Sequence, residues 1–202
     1  MPTNYDKNIF VNCPFDDDYR QLLVGIIFTI IYFGYNPRLS LERADSGESR
    51  IEKILSLIKE SKFGIHDLSR IVSSDSDEHY RMNMPFELGI DYGCQKLKGG
   101  KWSRKKILIL EKERYRFQKA ISDLSGSDIK NHNDEVDKAI CAVRDWLVTE
   151  ELNRAVSGGK VWDDFNDFQA YLYDEVVEND GHDSIDDVQI TEVIHHMNIW
   201  FT

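Results

Sequence analysis

Cysteine is scarce in this chain, and what there is lies scattered. Cys13, Cys94 and Cys141 are odd in number, far apart and without a C-x-x-C pair. That spacing excludes a disulfide framework and points to a reducing compartment. Long hydrophobic runs are lacking as well. The longest, from Leu22 to Phe33, is interrupted by Gly25 and Thr29 and falls short of the ~20 apolar residues that span a bilayer. The first residues carry no basic stretch followed by an apolar one, so no secretory signal is read there. A cytoplasmic protein with no membrane partner is expected. Positive charge is also in deficit: 25 Lys and Arg face 36 Asp and Glu, for a formal net charge of −11. Such a chain repels polyphosphates at long range, which argues against direct nucleic-acid binding. A small anion held by a local cluster of arginine and backbone N–H groups is still allowed. Two nucleotide signatures are missing too. No G-x-G-x-x-G follows the first strand, and no G-x-x-x-x-G-K-[ST] occurs, so dehydrogenase and P-loop readings lose their main support.

What is present is an ordinary globular composition, 41% hydrophobic and 30% charged over 202 residues. Four short apolar runs read as strands: 9–12, 37–41, 63–66 and 106–110. Ile107 to Leu110 is the clearest, because a continuous apolar run suits a strand covered on both faces. Between them lie helices. One is expected over 19–33, apolar nearly all round, with Gly34 at the C′ position. Another is expected over 50–60, where Ile51, Ile54, Leu55 and Ile58 repeat at helical spacing and Ser49 is placed to cap. Alternation of this kind implies right-handed βαβ crossovers and a three-layer α/β sheet. After Glu111 the pattern changes to helices over 114–124, 134–153, 165–177 and 188–200. Ser157-Gly158-Gly159 reads as a break in the chain. The division expected is a sheet domain over 1–125 and a C-terminal helical extension over 126–202.

Four groups of residues carry candidate chemistry, each beside a purely structural reading. Asn83-Met84-Pro85-Phe86-Glu87-Leu88-Gly89 opens a helix at Pro85, which places Glu87 in the first turn, where the macrodipole favours a carboxylate. Glu87 is then either a capping glutamate or a functional anion in a semi-buried wall. The loop Asn12-Cys13-Pro14-Phe15, with Tyr19, lines a pocket if Phe15 or Tyr19 stacks on a flat ring, and is core otherwise. Beside the acidic residues 16–18, Cys13 has no reason to be an activated thiol. Arg43, Ser46 and Arg50 combine with Gly47 just before a helix N-terminus, either to grip an anion, with Arg50 bidentate on a phosphate, or as an ordinary polar loop. Asp67 and Ser69, after the third strand, either bind ligand hydroxyls or are structural. His66 and Asp67 are adjacent, so they point to opposite strand faces and form no triad with a serine. His195 and His196 are about 100° apart on a helix and cannot easily share a metal; no metal site is expected. The acidic 178–187 segment fails the EF-hand pattern and is a solvated run or a docking surface for a basic partner.

Taken in order, Ile9-Phe10-Val11-Asn12, the third strand leading into His66-Asp67-Leu68-Ser69, and Phe86-Glu87-Leu88-Gly89 resemble the TIR-like and nucleoside 2-deoxyribosyltransferase-like superfamily over residues 7–111. Asp45-Ser46-Gly47-Glu48 and Met84-Pro85-Phe86 extend the similarity to bacterial TIR-like proteins of antiphage-defence loci. The resemblance implies a flavodoxin-like parallel sheet and a helix glutamate, here Glu87, that serves N-glycosidic bond cleavage. It implies NAD(P) or a related nucleotide as substrate rather than cofactor, with Asn12, Pro14, Phe15, Tyr19, Asp45, Ser46, Arg50, Asp67, Ser69, Asn83 and Phe86 around it. It also implies work in bacterial antiphage immunity, as a homo-oligomer or with a partner defence protein. The alternatives are a nucleoside or nucleotide N-glycosidase or deoxyribosyltransferase, and a non-catalytic nucleotide-sensing or scaffold module. The C-terminal helices match no family pattern.

Overall fold

Two strands made almost wholly of buried residues anchor the fold: β1 (Asn8–Asn12) and β3 (Phe63–Asp67). The computed structural model describes residues 4–70, 82–119, 121–151 and 156–202. Around the two central strands stand β2 (Asn36–Arg38), β4 (Lys106–Glu111) and β5 (Lys130–Asn131), all parallel, in the order β2-β1-β3-β4-β5. The chain is therefore α/β, a five-stranded all-parallel sheet flanked by helices. The strand order is the flavodoxin-like one of three-layer folds.

By internal contacts the residues group into two units, one of residues 1–15 and 36–134, the other of 16–35 and 135–202. The first unit holds the sheet with α2 (Arg50–Glu60) and α3 (Asn83–Leu97). α2 lays Ile54, Leu57 and Ile58 against Phe10, which fits its apolar spacing. α3 lays Met84 and Leu88 against Leu68, Ile109 and Phe117. Gly64 has a steric task within β3: a Cβ there would lie 2.3 Å from Asp91 Oδ2 on α3. A glycine inside a strand often marks such a close approach.

The second unit holds α1 (Arg20–Tyr32), α4 (Val136–Glu151), α5 (Gly158–Tyr173) and α6 (Ile190–Trp200). Every residue of α1 from Leu22 to Ile31 is buried, as its all-round apolar character requires. It ends as expected at Gly34, with φ of 76°, where Gly34 N–H donates to Ile31 O and Tyr35 N–H to Ile30 O. Phe28 sits among Phe165, Phe168 and Phe201 at centroid distances of 5.2 to 5.5 Å. Among the described residues no helix is long and apolar enough to cross a membrane.

Several local expectations are corrected. The second strand is Asn36–Arg38 rather than 37–41; Ser40–Glu42 forms a 3-10 turn in which Glu42 Oε1 accepts from Leu39 N–H. Pro37 fits because β2 is the sheet edge, where a missing donor costs little. The helix expected over 114–124 is two short 3-10 turns, Arg116–Lys119 and Ser122–Leu124, held off a helical path by Tyr115 at φ 67°. Ser157-Gly158-Gly159 does not interrupt structure but starts α5: Ser157 caps Lys160 N–H, and a Cβ on Gly158 would lie 2.5 Å from Cys141 Sγ. Ser49 does sit at the N-cap of α2, but its side chain makes no capping bond.

Candidate active site at the carboxyl ends of β1 and β3

β1 pairs with β2 on one side and with β3 on the other, so the strand order reverses at β1. The carboxyl ends of β1 and β3 are therefore the topological switch point, the place where open parallel sheets bind ligands. Asn12 ends β1, and its register partner is His66 on β3. The Asn12 amide donates to Met84 O at 2.9 Å and lies 3.0 Å from His66 Nδ1. One side chain thus pins the first turn of α3 to the strand tips. With the amide as donor, Nδ1 accepts, and Nε2–H faces Asp91 Oδ2 at 3.0 Å. Asp91 in turn ion-pairs with Lys105 Nζ at 3.1 Å, and Lys105 donates to Ile58 O at 3.0 Å and to Ser61 O. His66, Asp91 and Lys105 are all buried, so the cation and the anion compensate each other in a place water does not reach.

Glu87 lies one turn along α3 from this anchor. The helix begins at Asn83, two residues before Pro85, so Glu87 is beyond the first turn and is neither a capping nor a macrodipole glutamate. It is instead buried, at 3% exposure. Its one ionic partner among the described residues is Arg50 from the start of α2, with Nη1 2.9 Å from Oε1. At that distance Arg50 is a charge partner within hydrogen-bond reach of the carboxylate. Burial pushes the Glu87 carboxyl above its ordinary 4.5, opposed by Arg50 and, more weakly, by His66. Glu87 is thus a buried anion with an exposed counterion, near the tips of β1 and β3, able to answer positive charge that develops next to it.

The other expected site residues are spread over several segments. Asn83 and Phe86 flank Glu87 on the exposed side of α3, Phe86 at 61% exposure. Pro14 and Phe15 follow Asn12 in the same unit, Pro14 buried and Phe15 exposed. Tyr19 belongs to the other unit and is 1% exposed. Asp45 turns inward on its own loop, accepting from Gly47 N–H at 2.8 Å, and Ser46 is exposed. Arg43 is occupied by Glu48 at 2.8 Å, which leaves Arg50 as the loop arginine that reaches the carboxylate.

Asp67 and Ser69 go elsewhere, to a buried cluster at the ends of β3, β4 and β5. His132 Nε2 lies 2.9 Å from Asp67 Oδ2 and 3.0 Å from Ser69 Oγ, while its Nδ1 accepts from Asp134 N–H. Aspartate and serine share one nitrogen, so no relay through the ring is possible and the cluster is no nucleophilic triad. Beside it Glu111, fully buried, holds Arg116 through two bonds of 2.6 and 3.1 Å, and Arg116 also donates to Ser69 O. Both clusters escaped the sequence reading. A polar residue inside an apolar strand, as with His66, was a signal; the partners Asp91, Lys105 and His132 carried none. Among the described residues no group of three or more His, Cys, Asp or Glu side chains is placed to hold a metal ion. Compared with protein-family models, with curated proteins and with solved structures, the chain matches none.

Proposed function

We propose that the chain is an N-glycosidase that consumes NAD(P), with Glu87 as its catalytic carboxylate. One observation carries this reading above others: a buried carboxylate, with a single ionic partner among the described residues, stands at the switch point of a flavodoxin-ordered sheet. The sequence resemblance to TIR-like proteins assigns the same residue the same task.

The chemistry follows from charge. The bond between ribose C1′ and the nicotinamide nitrogen breaks heterolytically, and its electron pair leaves with the base, which departs neutral. Positive charge grows on C1′ and the ring oxygen. The Glu87 carboxylate stabilises that charge in place, without moving and without donating a proton. Water then adds to C1′ and loses a proton, giving ADP-ribose; addition of a hydroxyl from the same molecule gives a cyclic product instead. Burial sharpens the effect, because a charge interaction is stronger where water does not screen it. Asn12 serves the site by holding the first turn of α3, and with it Glu87, against β1 and β3.

The testing experiment is a panel of NAD, NADP and common nucleosides incubated with concentrated protein, with released base quantified by chromatography. Nicotinamide from NAD or NADP, lost in Glu87→Gln by about a hundredfold or more, is the expected result. Base release from nucleosides alone moves the protein to the nucleosidase or deoxyribosyltransferase class. No release from any of them, with tight nucleotide binding, makes it a sensing module.

A further inference from the structure

We propose that Arg50 is a substrate-operated lock on Glu87: its guanidinium holds the carboxylate until a ligand phosphate draws it away, so the site acts on nucleotides and not on nucleosides with the same glycosidic bond. The inference rests on the reading of Glu87 given above and adds the substrate class to it. Four observations lead there. First, the pair is lopsided, with the Arg50 side chain 56% exposed and that of Glu87 3% exposed. One end is free to swing into solvent and the other is fixed in the helix wall. Second, the contact is close, Nη1 to Oε1 at 2.9 Å, and Arg50 is the main group that offsets the burial of the carboxylate. Third, Arg50 has no other ion pair or hydrogen bond among the described residues, whereas its neighbours are engaged: Arg43 with Glu48 and Ser56, Lys53 with Arg43 O. Fourth, a carboxylate covered by a guanidinium cannot face a ribose, so the pair as it stands is an unproductive state.

A phosphate matches the guanidinium fork better than this carboxylate does, because it accepts two aligned N–H groups at once. When Arg50 turns to it, Glu87 would be left as a buried anion without a counterion. A pyridinium ribose restores the balance, since it brings positive charge to the same place. A dinucleotide such as NAD therefore carries both parts of the exchange. Nicotinamide riboside carries the cation and lacks the anion; it cannot displace Arg50.

Two measurements test the lock, one independent of turnover. In calorimetry with ADP-ribose as probe, Glu87→Gln frees Arg50 without removing it and so binds more tightly than the wild type by about tenfold, the size of one charge-assisted hydrogen bond. Arg50→Ala binds more weakly than the wild type. ADP-ribose affinity that is unchanged or lowered in Glu87→Gln, or absent in all three proteins, overturns the lock whatever the enzyme does. In turnover, the ratio of kcat/KM for NAD over nicotinamide riboside is high in the wild type and falls about tenfold in Arg50→Ala, because the lock and the phosphate grip disappear together. An equal loss on both substrates means that Arg50 merely supports the ionised Glu87, and the lock fails. If calorimetry follows the lock and neither substrate is cleaved, the catalytic reading of Glu87 is the part that falls.

Discussion

Gly64→Ala reports on the buried network that positions the site, and its effect can be worked out from distances. The added Cβ would stand 2.3 Å from Asp91 Oδ2, closer than a methyl group tolerates, and 3.0 Å from His66 Nε2, a tight contact. Asp91 has nowhere to retreat: it is fully buried and clamped between His66 at 3.0 Å and Lys105 at 3.1 Å. The carboxylate must leave one partner or the strand must shift, and breaking a buried ion pair costs about 3–5 kcal/mol. That is a large share of the stability of an ordinary domain, about 5–15 kcal/mol. The assay is urea denaturation at neutral pH, with Gly93→Ala as control. Gly93 is on α3 with nothing within 4 Å of its would-be Cβ, so alanine there should stabilise by about 0.5–1 kcal/mol through helix propensity. A second control is the Asp91→Ala background, where the obstructing carboxylate is gone and Gly64→Ala should cost less than about 1 kcal/mol. A cost for Gly64→Ala within about 0.5 kcal/mol of zero, or one that persists undiminished in Asp91→Ala, refutes the clamp.

Two further outcomes concern stability. Burial raises the Glu87 carboxyl above its ordinary 4.5, so the folded chain holds that proton more tightly than the unfolded chain. The resulting stabilisation is complete below the ordinary value and is lost as pH rises through the folded one. Glu87→Gln should therefore unfold at a higher temperature than the wild type at neutral pH, each tenfold change in proton affinity being worth about 1.4 kcal/mol. The gain should shrink on acidification below 4.5, as calorimetric scans across pH would show. In the helical unit, Phe28→Ala removes the ring that Phe165, Phe168 and Phe201 surround and should cost about 3–5 kcal/mol, read as a lowered denaturation midpoint with loss of near-ultraviolet dichroism.

The fold was legible where burial leaves a periodic trace. β1, β3, β4 and α2 stand within a residue of their expected bounds, because continuous apolar runs and a clean helical stripe admit few other structures. β5 escaped because it is two polar residues, Lys130 and Asn131, paired with the end of β4 by backbone alone. The segment after β4 misled because helix-compatible residues flank Tyr115, whose positive φ of 67° is not helical. Gly158 and Gly159 read as breakers, yet a close approach to Cys141 is what calls for the first of them.

The candidate site divides in the same way. Glu87 and Asn12 could be picked out because a carboxylate among apolar residues and a polar residue ending an apolar strand are both anomalies along the chain. Arg50 reads from its loop as a phosphate grip; its ion pair with Glu87 joins residues 37 positions apart and leaves no mark in either segment. Asp67 and Ser69 follow a strand tip, which suits a ligand-hydroxyl role or a structural one; their contact with His132 joins them to a segment with no signal of its own. Adjacent His66 and Asp67 do face different partners, Asp91 and His132, as strand alternation requires.

The measurement that bears most directly on the central claim is mass spectrometry of NAD incubated in oxygen-18 water with concentrated wild-type protein and with Glu87→Gln. Nicotinamide together with ADP-ribose labelled at its C1′ hydroxyl, or an unlabelled cyclic product, is expected from the wild type, and intact NAD from a folded Glu87→Gln. Equal nicotinamide release by both proteins would contradict the assignment of Glu87, and intact NAD with both would contradict the proposed activity.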